Sequence, residues 1–113
     1  MIKKILITGG AGNVGSSLTR KFLGLDGFFV VVVDNLLTGK IDNLPLTHLD
    51  NFQFINCDVN DFAQISEVMN YHRFDFVFHY AAVVGVQRTL QNPLWVLNDI
   101  NGIRNVLELA KST

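Results

Sequence analysis

Thr8-Gly9-Gly10-Ala11-Gly12-Asn13-Val14-Gly15-Ser16 is the stretch whose residue types and spacing point most directly to chemistry. Gly9, Gly12 and Gly15 fall at every third position between an apolar, strand-like run and an amphipathic one. Each has a physical job in a phosphate cradle. Gly9 lets the chain turn sharply off the strand, Gly12 lets backbone N–H groups approach a pyrophosphate with no Cβ in the way, and Gly15 lets the helix pack closely on the sheet. The helix start adds unsatisfied N–H groups and a positive dipole end. Glycines alone are a weak signal, because a tight strand-to-helix turn needs them too. Asp34 sharpens it. It closes the second apolar run nineteen residues after Gly15, where a dinucleotide fingerprint places an acidic residue (~20 residues on) against the ribose hydroxyls. A carboxylate there accepts from the 2′- and 3′-OH and repels a 2′-phosphate, so NAD is expected over NADP. Asn35 follows where a phosphate-binding arginine would sit, and Lys40 is the nearby cation.

Other chemistries fit less well. Gly39-Lys40 looks like the end of a P-loop, but Asp34 stands where its first glycine belongs and Ile41 replaces the magnesium-binding Ser/Thr. His48, His72, His79 and Cys57 share no metal-ligand spacing, so no metal is expected. His79 ends an apolar strand and reads as a backbone-satisfied histidine, and Cys57 reads as a small buried hydrophobe.

The elements that must position these residues alternate. Ile2 to Thr8, Phe28 to Val33, Phe52 to Asn56 and Phe74 to His79 read as strands. Phe28 to Val33 has no polar alternation, the mark of a parallel strand covered on both faces. Between them, Val14, Leu18 and Phe22 predict the inner face of a helix that Gly24 and Gly27 end through a left-handed cap. Asn35 to Leu49 predicts a loop with one helical turn. Asn60 or Asp61 caps a helix with inner face Phe62, Ile65 and Met69. Asn92-Pro93 starts a last helix, with Val96, Ile100, Ile103, Leu107 and Ala110 on one face as far as Lys111. Strands separated by helices give parallel βαβ units, and a glycine-rich first turn makes the α/β fold doubly wound. The expected strand order is 3-2-1-4, with a ligand crevice at the carboxyl ends of the first and fourth strands.

Composition sets the outer bounds. The chain has 113 residues, 49% hydrophobic and 17% charged, with a net charge of −1. That length is one domain with a real core. The charge disfavours a nucleic-acid partner, which needs a basic excess. The longest apolar run, Phe28 to Val33, is far short of the ~20 residues that span a bilayer, so no membrane partner is expected. One cysteine and no Asn-x-Ser/Thr site point to a reducing, cytoplasmic setting.

With these residues in place, the chain resembles the extended short-chain dehydrogenase/reductase family, and within it the NAD-dependent nucleotide-sugar epimerases and dehydratases. The resemblance rests on Thr8-Gly9-Gly10-Ala11-Gly12-x-x-Gly15-Ser16, Asp34-Asn35-Leu36 with Thr38-Gly39, Cys57-Asp58-Val59, His79-x-Ala81-Ala82, and Asn92-Pro93 through Asn105-Val106-Leu107-Glu108. It covers essentially the whole chain. It implies a Rossmann-type doubly wound parallel sheet, truncated after the fourth strand and its helix, with NAD as a tightly bound cofactor. By the resemblance, Gly9, Gly12, Asn13, Val14 and Gly15 hold the pyrophosphate. Asp34 and Asn35 hold the adenosine ribose, with Leu36, Thr38 and Gly39 beside it. Asp58 and Val59 flank the adenine. Tyr80, Ala81 and Ala82 form a wall along the ribose and nicotinamide, and Val84 to Arg88 approach the sugar nucleotide. Asp99 stands where the family usually has an asparagine near the nicotinamide ribose. Asn13-Val14 replaces the family's usual Phe-Ile, and Tyr80 its common leucine.

The family's chemistry is transient oxidation at sugar C4, followed by re-reduction, loss of water or loss of CO₂. A tyrosine serves as base, its pKa lowered by a lysine four residues on. That pair is not in this sequence: Tyr71 is followed four residues later by Asp75, and Tyr80 by Val84. The resemblance therefore implies a cofactor-binding portion at residues 1–113, with catalytic and substrate parts expected beyond Thr113. It also implies a nucleoside-diphosphate sugar as substrate and a homodimer built on the Pro93–Lys111 helix. The competing readings are a non-catalytic NAD-binding or redox-sensing module, and an interaction domain that has lost its ligand. The latter predicts lost glycines or a lost Asp34, which are present.

Overall fold

The β-branched run of the second strand packs on both of its faces. In the computed structural model, which describes residues 2–36, 39–44, 50–81 and 93–112 (side chains of 93–99 excepted), Val30 through Val33 are wholly buried. Strands β1 (Lys3–Thr8), β2 (Phe28–Asp34), β3 (Phe52–Asn56) and β4 (Phe76–His79) form one parallel sheet of order β3-β2-β1-β4. The helices are α1 (Asn13–Leu23), α2 (Phe62–His72) and α3 (Pro93–Ser112), with a short 3₁₀ turn at Ile41–Asn43. Strand pleating divides the core in two. Ile5, Ile7, Val30 and Val32 pack with Leu18 and Phe22 of α1. Leu6, Val31 and Val33 pack with Ile65, Val68 and Met69 of α2 and with Val106 and Leu109 of α3. This is the doubly wound α/β arrangement that the alternation of elements predicts.

Several details depart from expectation. β4 begins at Phe76, two residues late; at Asp75 the backbone N–H pairs with Lys4 O at 2.8 Å, while Lys4 N–H donates to the side chain, Asp75 Oδ2, at 2.8 Å. Gly24 caps α1 in a right-handed conformation, and the positive φ belongs to Gly27, at +89°. Val14 is 63% exposed, and α1 instead buries Gly15, Ser16 and Thr19 beside Leu18 and Phe22. The two hydroxyls can go inside because each bonds a carbonyl of its own helix, Ser16 to Asn13 O and Thr19 to Gly15 O. Asp61 is the α2 cap, accepting from Ala63 N at 3.0 Å, which leaves Phe62 at the exposed first turn.

The last helix is rotated from its expected face. Gly102, Asn105, Val106 and Leu109 face inward, while Ile100, Ile103 and Leu107 are exposed. The turn before α2 decides this. Asn105 Nδ2 donates to Val59 O at 2.9 Å, and a Cβ on Gly102 would stand 2.8 Å from Asn60 Oδ1. Close packing and a buried hydrogen bond set the rotation ahead of the apolar count. Val96 and the side chain of Asp99 lie outside the described residues.

His72 closes α2 between the stacked rings of Phe29 and Phe74, at 6.2 and 5.3 Å. Among the described residues its Nδ1 has no hydrogen-bond partner. Burial, and secondarily the charge of Lys4, hold its pKa below the ordinary 6.5. The folded state therefore takes up this proton less readily than the unfolded chain. The stabilising contribution of neutral His72 is present above pH 6.5 and is lost as pH falls toward the depressed folded-state value. His72→Phe keeps the stack and should flatten that part of the acid-side fall. Urea unfolding midpoints between pH 7.5 and 5 check it; an unaltered slope in the variant would exclude His72 as the cause.

Candidate functional site

The described sequence-selected positions before α3, among them Gly9, Gly12, Gly15, Asp34, Asp58 and Tyr80, follow the carboxyl ends of the strands. Register places Thr8 beside Val33 and His79, and Asp34 beside Asn56. The order reverses at β1, whose neighbours β2 and β4 are reached by chains leaving in opposite directions. A crevice opens at such a switch point.

The glycines are required for different reasons. Gly9 has φ +67°, and a Cβ on it would stand 2.7 Å from the Tyr80 carbonyl carbon, so the end of β4 crosses directly over the first turn. A Cβ on Gly15 would meet Gly9 O at 2.4 Å and Gly10 Cα at 2.8 Å. Gly15 thus lets α1 sit on the Gly9-Gly10 turn; the expectation was packing on the sheet itself. Gly12 is the contrast. Its φ of −78° suits any residue, and a Cβ there would make only an ordinary 3.4 Å contact, with Gly9 O. The fold does not demand glycine at this position. Gly12 is also the N-cap of α1, and it supplies no side-chain cap. The first helical bond is Ser16 N–H to Gly12 O at 2.9 Å, and among the described residues nothing accepts from the amides of Asn13, Val14 or Gly15. Open space and three orphan amides are what an anionic pyrophosphate needs.

Asp34 ends β2, buried, with both oxygens engaged by backbone. Oδ2 accepts from Ala11 N–H at 3.0 Å and Oδ1 from Leu36 N–H at 2.7 Å. Leu36 has φ +62°, a costly conformation for leucine that this Asx turn holds in place. Gly39 packs against the same carboxylate, since its Cβ would stand 2.9 Å from Asp34 Oδ2. Each carboxylate oxygen keeps a second lone pair. Asp58 accepts from Asn60 N–H at 2.9 Å, while Val59 is buried in the core. Thr38, Ala82 and Val84 to Arg88 lie outside the described residues, and Asn35 is exposed at the rim.

On the other side of the crevice, Thr8 Oγ1 accepts from Tyr80 N–H at 3.0 Å and Ala81 N–H at 3.2 Å. It also lies within hydrogen-bond distance of His79 Nδ1, at 2.7 Å. Tyr80 itself is exposed. The sequence motif names Thr8 and Gly10 but gives neither a role. Gly10 is needed because a Cβ would stand 2.4 Å from Val32 Cγ1, a contact that no local spacing reveals.

Residues 6–113 match the family described as GDP-mannose 4,6 dehydratase. The chain belongs to the NAD-dependent nucleotide-sugar epimerase/dehydratase family. Among curated members of this family, it is 36% identical over 118 residues to UDP-glucose 4-epimerase 2 of Oryza sativa subsp. japonica, covering 98% of this chain and 29% of that one. It is 40% identical over 112 residues to UDP-glucuronic acid decarboxylase 1 of Danio rerio, covering 96% of this chain and 25% of that one. Among solved structures, UDP-glucose 4-epimerase of Thermus thermophilus in complex with NAD superposes with a TM-score of 0.85 at 31% identity, over 96% of this chain and 32% of that one. The chain therefore spans between a quarter and a third of these family members. Among the described residues no helix is long and apolar enough to cross a membrane, and no group of His, Cys, Asp and Glu is placed to hold a metal. Cys57 is buried with its thiol pushed up to about 11, chiefly by desolvation, which keeps it protonated and unreactive.

Proposed function

We propose that residues 1–113 are the NAD-binding portion of a nucleotide-sugar epimerase that works by transient oxidation at C4 of a nucleoside-diphosphate sugar. The observation that carries this reading is Gly12: a glycine the fold does not need, in front of three unpartnered helix amides. In this reading the amides of Asn13, Val14 and Gly15 bind the pyrophosphate. Asp34, with Asn35 beside it, uses its remaining lone pairs for the adenosine ribose hydroxyls. Asp58 and Val59 border the adenine. Tyr80 and Ala81, fastened over Gly9 by Thr8, wall the nicotinamide side and keep water from that face. NAD, when bound, supplies the acceptor and return donor for hydride.

The 113 residues contain no Tyr-x-x-x-Lys, so proton transfer in this reading needs residues outside them. The chain alone is expected to bind NAD weakly and to turn over no sugar nucleotide. A homodimer through the exposed Ile100, Ile103 and Leu107 of α3 belongs to the same reading. The likeness to a decarboxylase and to the dehydratase family description favours a second outcome, with the 4-keto sugar losing CO₂ or water.

The test uses the protein encoded by its whole gene. Incubation with UDP-glucose should give UDP-galactose by chromatography, with the C4 hydrogen retained. A 4-keto-6-deoxy product or CO₂ release from a UDP-uronic acid would replace the epimerase reading by the second. NAD bound with none of these products would support a redox-sensing module, and no NAD binding would sink both readings.

A further inference from the structure

The peptide on either side of Ala11 is held from three directions. Its N–H donates to Asp34 Oδ2, while its C=O accepts both Lys40 N–H at 3.0 Å and Asn43 Nδ2 at 2.8 Å. Asn43 is in turn fixed by Arg20, whose Nη1 donates to its carbonyl at 2.9 Å, and by its own N–H on Lys40 O at 3.0 Å. Gly39 lies flat on the glycine turn, with a Cβ position 2.8 Å from the Ala11 carbonyl carbon. Residues 39–44 thus form a strap across the outer side of the turn, and the Asn43 side chain is its clasp.

From this geometry we infer that Asn43 is a positioning residue: it holds the strap closed on the glycine turn and so presets the amides that take the dinucleotide's phosphates. The chemistry follows the bonds. Two donors on Ala11 C=O polarise the Ala11–Gly12 peptide and make Gly12 N–H a better donor. That N–H closes the tight turn on Gly9 O at 3.1 Å. Loosening the clasp leaves the core strands untouched but lets the turn sample open forms, and apparent affinity falls with the fraction that remains closed. Asn43 touches no ligand in this account and acts only through Ala11.

Asn43→Asp is the sharpest test, since it keeps the shape and replaces the donor by an acceptor facing a carbonyl. The inference rests on the NAD reading for its affinity arm and is independent of it for the other. In the whole protein, hydrogen–deuterium exchange at Ala11, Gly12 and Lys40 should quicken in Asn43→Asp while exchange in Ile5 to Ile7 stays at the wild-type rate. NAD affinity by calorimetry should fall about tenfold, the scale of one lost hydrogen bond that leaves a partner unsatisfied. At saturating NAD the exchange difference should close, because the ligand then holds the turn. Arg20→Gln should act in the same direction and less. Unchanged exchange at Ala11 and Lys40 would overturn the clasp, and faster exchange with unaltered NAD affinity would overturn its positioning role. A wild-type protein that binds no NAD would sink the dinucleotide reading and with it the affinity arm, while the exchange arm still reports whether the clasp exists.

Discussion

Gly12→Ala is expected to leave the protein as stable as the wild type and to weaken NAD binding about a hundredfold. The stability half follows from the space around Gly12: a Cβ there makes one contact, at 3.4 Å, and φ is already −78°. Alanine is a poorer N-cap than glycine, by about 0.5–1 kcal/mol, and the less flexible unfolded chain offsets about 0.4–1 kcal/mol. The binding half follows from the place of that methyl, at the N-cap just before the amides of Asn13 to Gly15 and in space the protein leaves open. Holding a pyrophosphate off one or two charge-assisted hydrogen bonds costs about 3 kcal/mol, or roughly a hundredfold. Gly15→Ala should do the reverse. Its methyl would press on Gly9 O at 2.4 Å, and both partners are backbone, so neither can swing aside. Destabilisation of about 3 kcal/mol is expected, at the upper end for overpacking. Urea unfolding and calorimetry on the two variants separate these effects. Equal loss of stability in both would mean that Gly12 serves the fold, and the argument for a pyrophosphate at the helix start would fail.

The contrast also marks how far residue types alone could lead. Strand order, the parallel sheet and the gathering of Gly9, Gly12, Gly15 and Asp34 at one end of it were legible, because each follows from periodicity and from one glycine-rich turn. Helix rotation was not. Val14 and Ile100 belong to apolar stripes, yet both are exposed, while Ser16, Thr19 and Asn105 are buried. A hydroxyl or amide whose bond is met by a nearby carbonyl can go inside at small net cost, and hydropathy counting has no knowledge of that partner. The braces of the site were hidden for a related reason. Thr8 with His79, and Ala11 with Asn43, are 71 and 32 residues apart, so their pairing exists only after β1 has neighbours. The positive φ of Leu36 and of Arg73 carried no glycine to announce it. For α3's rotation and the braces a tertiary contact chose the conformation, while Leu36 and Arg73 are held locally, by an Asx turn and a helix C-cap.

Asp34→Ala is expected to cost both stability and selectivity, and the two losses have separate origins. The carboxylate braces the loop itself: Ala11 N–H and Leu36 N–H both end on it, and the αL turn at Leu36 depends on the second bond. Removing it strands a buried donor at Ala11, worth about 1–3 kcal/mol, while the half-buried Leu36 amide can recover water. About 2 kcal/mol of destabilisation should appear in urea unfolding. NAD affinity should fall about a hundredfold, since the loop loses its shape and the ribose its acceptor. Alanine alone cannot assign that fall, because brace and ribose ligand are lost together. Asp34→Asn separates them: it keeps one acceptor for the brace and removes the negative charge. If the charge faces the 2′ position, NADP affinity should rise in Asp34→Asn while NAD affinity falls, and the NAD/NADP ratio should drop by about tenfold or more. A ratio equal to wild type, with the stability loss still present, would leave Asp34 as a loop brace only. The ribose contact and the preference for NAD would then need another residue.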